Sequence, residues 1–210
     1  MDLKSAAFIF SILISAAVAV VTDYRGQRLL AYFFRPFTIM LMVGLLLETR
    51  PYSFYRNAVA ASLALCLLGD TMMMFKKKRF LTGLAFFLGA LGILIVAFWS
   101  RLEKPFLAWP VIPLVAVAAL VISLTWRGLK NERIPVLFYL LALLTMVRLG
   151  LEQPHQLPGI GPWLAAAGSV FFLISDATLA FNRFRRPFRA AQIIILSTFY
   201  SALLFLTLSV

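Results

Sequence analysis

The sequence predicts an all-α fold, a polytopic transmembrane bundle of eight helices with both termini on the non-cytoplasmic side. Three observations predict it. The chain is 62% hydrophobic and 13% charged, with a mean hydropathy of +0.94, which leaves too little charged surface for a water-soluble domain. Eight apolar runs divide it, each near the length of about 20 residues that spans a hydrocarbon layer of about 30 Å. Most of the charged residues stand in the short breaks between these runs.

The first run, 4–21, passes into a charged break without needing to be cut. A signal peptide ending near 15-SAAVA-19 is the competing reading, and it would leave an odd number of spans. The second run, 31–47, contains 35-RPF-37, and the third, 57–75, follows 50-RPY-52 and carries Cys66 and Asp70. The fourth covers 80–99, and the fifth, 106–125, is bracketed by 104-KPF-106 and 109-WPVIP-113. The sixth, 134–150, opens on 134-IP-135. The seventh, 160–181, opens near 158-PGIGPW-163 and carries Asp176, and the eighth is 190–209. Proline at these places marks where a helix begins or breaks. No linker is long or polar enough to separate two domains, so 1–210 reads as one integral membrane domain.

Lys plus Arg outnumber Asp plus Glu by 20 to 8. Fourteen of the basic residues fall at the odd breaks: Arg25, Arg28, Arg35, Lys76 to Arg79, Arg127, Lys130, Arg133, Arg183, Arg185, Arg186 and Arg189. Six fall at the other end, so the positive-inside rule puts the odd breaks in the cytoplasm, consistent with a bacterial cytoplasmic membrane. Bases placed this way, with no soluble domain to carry a basic and aromatic surface, argue against nucleic acid as a partner. Cys66 is the single cysteine and His155 the single histidine, which excludes an intramolecular disulfide and a cysteine or multi-histidine metal cage.

In that topology Asp70 and Asp176 both approach the cytoplasmic boundary, on helices that run parallel. Taken alone, Asp70 reads as a helix-end partner for Lys76 to Arg79. Asp176 alters this, because Ser169, Phe172, Leu173 and Asp176 share one helical face, with Ser175 a step to the side and Arg183 two turns on. Gly161, Gly168 and the alanines at 165–167 permit close packing, which puts this helix inside the bundle. Arg35 belongs to the same layer. Two carboxyls in one partly dry site supply a general acid and a general base, while Arg35 or the arginines and lysines of the third and seventh breaks can hold a phosphate. Tyr139 and Tyr200 lie well inside their runs and can offer hydroxyls to the same cavity, or bond mundanely between helices. The local echo between 67-LLGDTMMMF-75 and 173-LISDATLAF-181 leaves duplication and chance both open.

An ordered set of segments resembles the YhhN-like, or lysoplasmalogenase-like, family of eight-span membrane proteins. It comprises 35-RPFTIMLM-42, 67-LLGDTMMM-74, 83-GLAFFLG-89, Tyr139 with Met146, 168-GSVFFLISDATLAFNRF-184 and 196-LSTFY-200. The resemblance implies hydrolysis of the vinyl ether bond of lysoplasmalogens to a long-chain aldehyde and glycerophosphoethanolamine or glycerophosphocholine. This chemistry agrees with Asp70 and Asp176 as the acid and base pair, with Asp176 taken as the acid and Asp70 as the base and stabiliser although the sequence leaves that order open, and it demands no metal or organic cofactor. Arg35, Tyr139, Ser175, Arg183 and Tyr200 are the expected substrate-binding residues, with membrane lipids around them. The sequence departs from the family pattern in three places. Arg35 replaces a family Lys, 90-ALGI-93 replaces a segment with His and Tyr, and Leu203 stands near an expected Gln. A lysolipid transporter or flippase using the two carboxyls for a cation or proton, and a noncatalytic scaffold in which they only pair with bases, are the rival expectations.

Overall fold

The computed structural model describes residues 3–49, 51–75, 80–103 and 110–210. The expectations for Arg50, Lys76 to Arg79 and 104–109 lie outside these residues. The described residues form eight long helices and no strand. The helices are α1 (Leu3–Tyr24), α2 (Arg28–Thr49), α3 (Phe54–Phe75), α4 (Phe80–Trp99), α5 (Val111–Leu129), α6 (Arg133–Gln156), α7 (Gly161–Phe184) and α8 (Ala191–Leu208). A 3-10 turn at Lys130–Glu132 joins α5 to α6. Each of the eight is long and apolar enough to cross a membrane, which accounts for every expected run.

Two of the differences from the sequence reading turn on proline. Pro36 stands inside α2, so 35-RPF-37 is no boundary. A proline ring removes one backbone donor but leaves an apolar helix the better way to satisfy the rest in lipid. For the same reason α6 runs through Pro154 to Gln156, beyond the expected end at 150.

Helices α1, α2, α3, α4, α6, α7 and α8 close a ring in that order, α8 returning to α1. Within it α8 also reaches α2 and α3, and among the described residues α5 lies outside, against α6, α7 and the 3-10 turn. Side-chain spacing sets the faces. On α2 the buried positions Arg35, Thr38, Ile39, Met42, Leu45 and Leu46 repeat at the helical period, so the stripe that faces the bundle starts with a charge. The Ser15 and Thr38 hydroxyls bond at 2.7 Å across α1 and α2, and Tyr55 and Ser209 do so at 2.7 Å between α3 and the chain's end.

Small residues bring backbones together where the polar groups sit. A Cβ on Gly83 would lie 3.0 Å from the Gly69 carbonyl oxygen, so α3 and α4 touch one residue before Asp70. A Cβ on Gly168 would lie 3.0 Å from the Ala202 carbonyl oxygen, which matches the close packing expected of α7 and seats it on α8. One turn deeper than Asp176, Phe172 packs edge-on against Phe199 (ring centroids 5.9 Å apart) and Phe87 (6.4 Å), and Phe87 meets Phe199 at 5.7 Å. This trio from α4, α7 and α8 fills the bundle beneath the carboxyl layer.

Candidate active site

A cavity of about 710 Å³ opens at the end of the bundle where the odd breaks lie. This is within the range of about 300–1,000 Å³ usual for small-molecule sites. Arg35 from α2, Asp70 from α3 and Asp176 from α7 line its interior, Phe87 and Phe199 its floor, and Lys130, Glu132 and Arg183 its mouth.

Asp70 sits five residues before the end of α3 and is buried, 5% exposed. It pairs with Arg35 through two parallel contacts, Nε donating to Oδ2 at 3.1 Å and Nη2 to Oδ1. Planar, bidentate pairing suits a guanidinium and not an ammonium. The Nη1 group of the same Arg35 donates to Asp23 Oδ1 at 3.1 Å. One cation therefore faces two carboxylates. The Gly26 turn, with φ at +72°, reverses the chain between α1 and α2 and brings Asp23 beside Arg35.

Asp176 has a different environment. The Tyr139 hydroxyl donates to its Oδ2 at 2.5 Å, and among the described residues Asp176 forms no ion pair. Cys66, fully buried one turn before Asp70 on α3, lies within electrostatic reach of both carboxyls. The two acids thus line one cavity with unlike partners, a cation for Asp70 and a phenol for Asp176.

The remaining expected residues divide by what they touch. Arg35, Ser175 and Arg183 line the cavity; Tyr139 and Tyr200 do not. The Ser175 hydroxyl is spent on the Ile195 carbonyl at 3.0 Å, pinning α7 to α8. The Tyr200 hydroxyl is buried without a well-formed hydrogen bond, close to the Arg35 guanidinium and the Asp70 carboxylate. Arg183 stacks over the Phe80 ring at 3.7 Å, and its Nη2 lies 3.5 Å from Glu132 Oε1. The sequence reading misses Asp23 and Glu132. The one signal it held for them is that each is an acid standing among bases in an odd break.

The YhhN family model matches residues 30–210, which takes in all but the first two residues of α2, the whole of α3 to α8 and every cavity residue named above. The chain belongs to the YhhN family. Its curated relatives include the uncharacterized membrane protein YhhN of Escherichia coli O157:H7, 27% identical over 91% of this chain and 92% of the relative. The lysoplasmalogenase TMEM86B of Homo sapiens is 27% identical over 81% of this chain and 71% of the relative. That of Sus scrofa is 31% identical over 74% and 64%. No solved structure matches the chain. This YhhN-family protein is a multi-pass integral membrane protein, and the family is lysoplasmalogenase-like.

Two of the family departures fall outside the cavity wall of this YhhN-family chain. Ala90 and Leu203 are packed in the core, 0% and 1% exposed, and neither lines the cavity. Arg35 lies on the wall, where it holds Asp70 in a geometry that a lysine has no second nitrogen to make.

Proposed function

We propose that this protein hydrolyses the vinyl ether bond of a lysophospholipid, with Asp176 as the general acid and Asp70 as the cation-stabilising carboxylate. The observation that carries the reading is the unlike partnering of two carboxyls in one cavity. Asp70 is paired with the Arg35 cation, whereas Asp176 has a phenol beside it and is the carboxyl suited to pass a proton. The lysoplasmalogenase names of two relatives agree with it.

The chemistry follows from those roles. Asp176 gives its proton to the vinyl carbon remote from the ether oxygen, and the carbon attached to oxygen becomes an oxocarbenium ion. The Asp70 carboxylate stabilises that cation and draws a proton from the water that adds to it. The resulting hemiacetal then collapses. Its carbon–oxygen bond to glycerol breaks as the hydroxyl gives up its proton, the glycerol oxygen gains that proton, and a fatty aldehyde leaves. One water is consumed, and the proton ledger closes when the proton taken by Asp70 returns to Asp176. Tyr139 orients Asp176 from behind, and the aromatic floor gives the alkenyl chain an apolar surface.

The test is aldehyde release by purified protein from 1-alkenyl lysophospholipid. Release should collapse in Asp176→Asn and in Asp70→Asn while both variants remain folded in detergent. Release that survives either substitution would sink the mechanism, and none from the unmodified protein across related lipids would favour transport or a scaffold.

A further inference from the structure

The cavity mouth carries charges that the catalytic pair does not use. Lys130 and Glu132 stand on the 3-10 turn between α5 and α6, and Arg183 stands in the last turn of α7 facing them. Lys130 has φ at +40° and is the only non-glycine residue with positive φ among the described residues. Such a conformation is strained and persists where surrounding structure imposes it, often at ligand sites. Arg183 is fixed by stacking on Phe80, yet its Nη2 stays 3.5 Å from Glu132 Oε1, too long for a good hydrogen bond. Arg183 Nε and Glu132 Oε2 are buried and have no hydrogen-bond partner. The two side chains face each other without closing, and they leave a donor and an acceptor unspent.

The signs of these groups describe a ligand. Two cations against one carboxylate match a phosphodiester anion that also carries a cation. Arg35, already shared by two carboxylates, offers such an anion less, which keeps the phosphate at the mouth and lets the chain reach the carboxyls. We propose that Lys130 and Arg183 hold the phosphate of the lipid head group while Glu132 receives a primary ammonium, so that the site selects ethanolamine lysolipids. This rests on the lysolipid reading of the preceding subsection. Choline fits less well on two counts. Its quaternary nitrogen has no N–H to give Glu132, and the Phe80 face, the aromatic surface for such a cation, is covered by Arg183.

Binding of saturated 1-O-alkyl lysolipids, which have no vinyl bond to cleave, tests the head-group site apart from hydrolysis. The probes are long-chain 1-O-alkyl glycerophosphoethanolamine, glycerophosphocholine and glycerophosphate, bound to the full chain in detergent. The unmodified protein should prefer the ethanolamine lipid by about ten-fold, the order of one charge-assisted hydrogen bond. Glu132→Gln should erase that preference, Glu132→Asp should keep part of it, and Lys130→Gln should weaken all three lipids alike. Equal binding of the three lipids by unmodified protein would overturn the proposal. So would a preference that survives Glu132→Gln, or one lost equally in Glu132→Asp. A protein that shows the preference but releases no aldehyde from the vinyl ether lipid would retain the head-group site and lose the hydrolase reading.

Discussion

Replacing Arg35 by Met removes the cation that Asp70 touches. The two side chains are 9% and 8% exposed, so water screens their pairing little, and the contact is bidentate. Breaking a buried pair by removing one partner costs about 3–5 kcal/mol, because a desolvated charge is left behind. Removing the other partner should cost less. In Asp70→Asn the guanidinium keeps Asp23 at 3.1 Å, which leaves a loss of about 1–3 kcal/mol, that of a hydrogen bond to a charged group. The mouth pair provides the scale. Arg183 and Glu132 are 27% and 29% exposed and 3.5 Å apart, so Arg183→Met should lose only about 0–1 kcal/mol from that ion pair. Unfolding of the purified protein in mixed micelles by added SDS, followed by tryptophan fluorescence, would rank the three as Arg35→Met, Asp70→Asn, Arg183→Met. The double variant Arg35→Met, Asp70→Leu should recover most of the loss, since neither charge then remains. An Arg35→Met variant no less stable than Arg183→Met would refute the argument that Asp70 is a desolvated carboxylate held by Arg35.

Other expectations follow from single contacts. Tyr139→Phe removes the 2.5 Å donor to Asp176 without touching the cavity wall, so kcat for aldehyde release should fall about ten-fold while KM holds. Ser175→Ala should lose about 1 kcal/mol of stability in the same SDS titration and retain activity, because its hydroxyl serves the Ile195 carbonyl. Gly128→Ala would place a Cβ 1.7 Å from the Phe184 carbonyl oxygen and should cost about 1–3 kcal/mol. Gly92→Ala meets nothing within 4 Å and should be neutral or stabilise by up to about 1 kcal/mol. From the excess of bases at the odd breaks the positive-inside rule predicts a cytoplasmic cavity mouth, so an alkaline phosphatase fused after Val210 should be active, and an inactive one would reverse the orientation.

The eight helices were legible because the solvent leaves the backbone few choices: in lipid a run of about 20 apolar residues satisfies its own hydrogen bonds only as a helix. Convergence of Asp70, Asp176 and Arg35 was legible for a related reason, since alternating spans place the end of α3, the end of α7 and the start of α2 at one depth. Depth is a one-dimensional coordinate, and sequence position supplies it. The pairings are not one-dimensional. Which carboxyl Arg35 would hold depends on how α2 is rotated against α3, and the rotation is decided by the whole stripe from Arg35 to Leu46 packing inward and by the glycine contact of α3 with α4.

Asp23 and Glu132 expose a different gap. The positive-inside reading counts bases and passes over acids, which contribute little to orientation. An acid in an odd break is therefore free of topological duty, and a charge without that duty is the one to examine for a partner. Both are found on arginines, Asp23 on Arg35 and Glu132 on Arg183. The exposures separate their consequences. Arg35 is nearly dry and doubly engaged, which fixes Asp70 in place, whereas the Arg183 pair is only partly buried and loosely closed, which leaves it able to exchange one partner for a ligand. One cavity thus holds a rigid pair at depth and an exchangeable pair at its mouth, the order needed by a lipid whose reactive bond must go in farther than its charge.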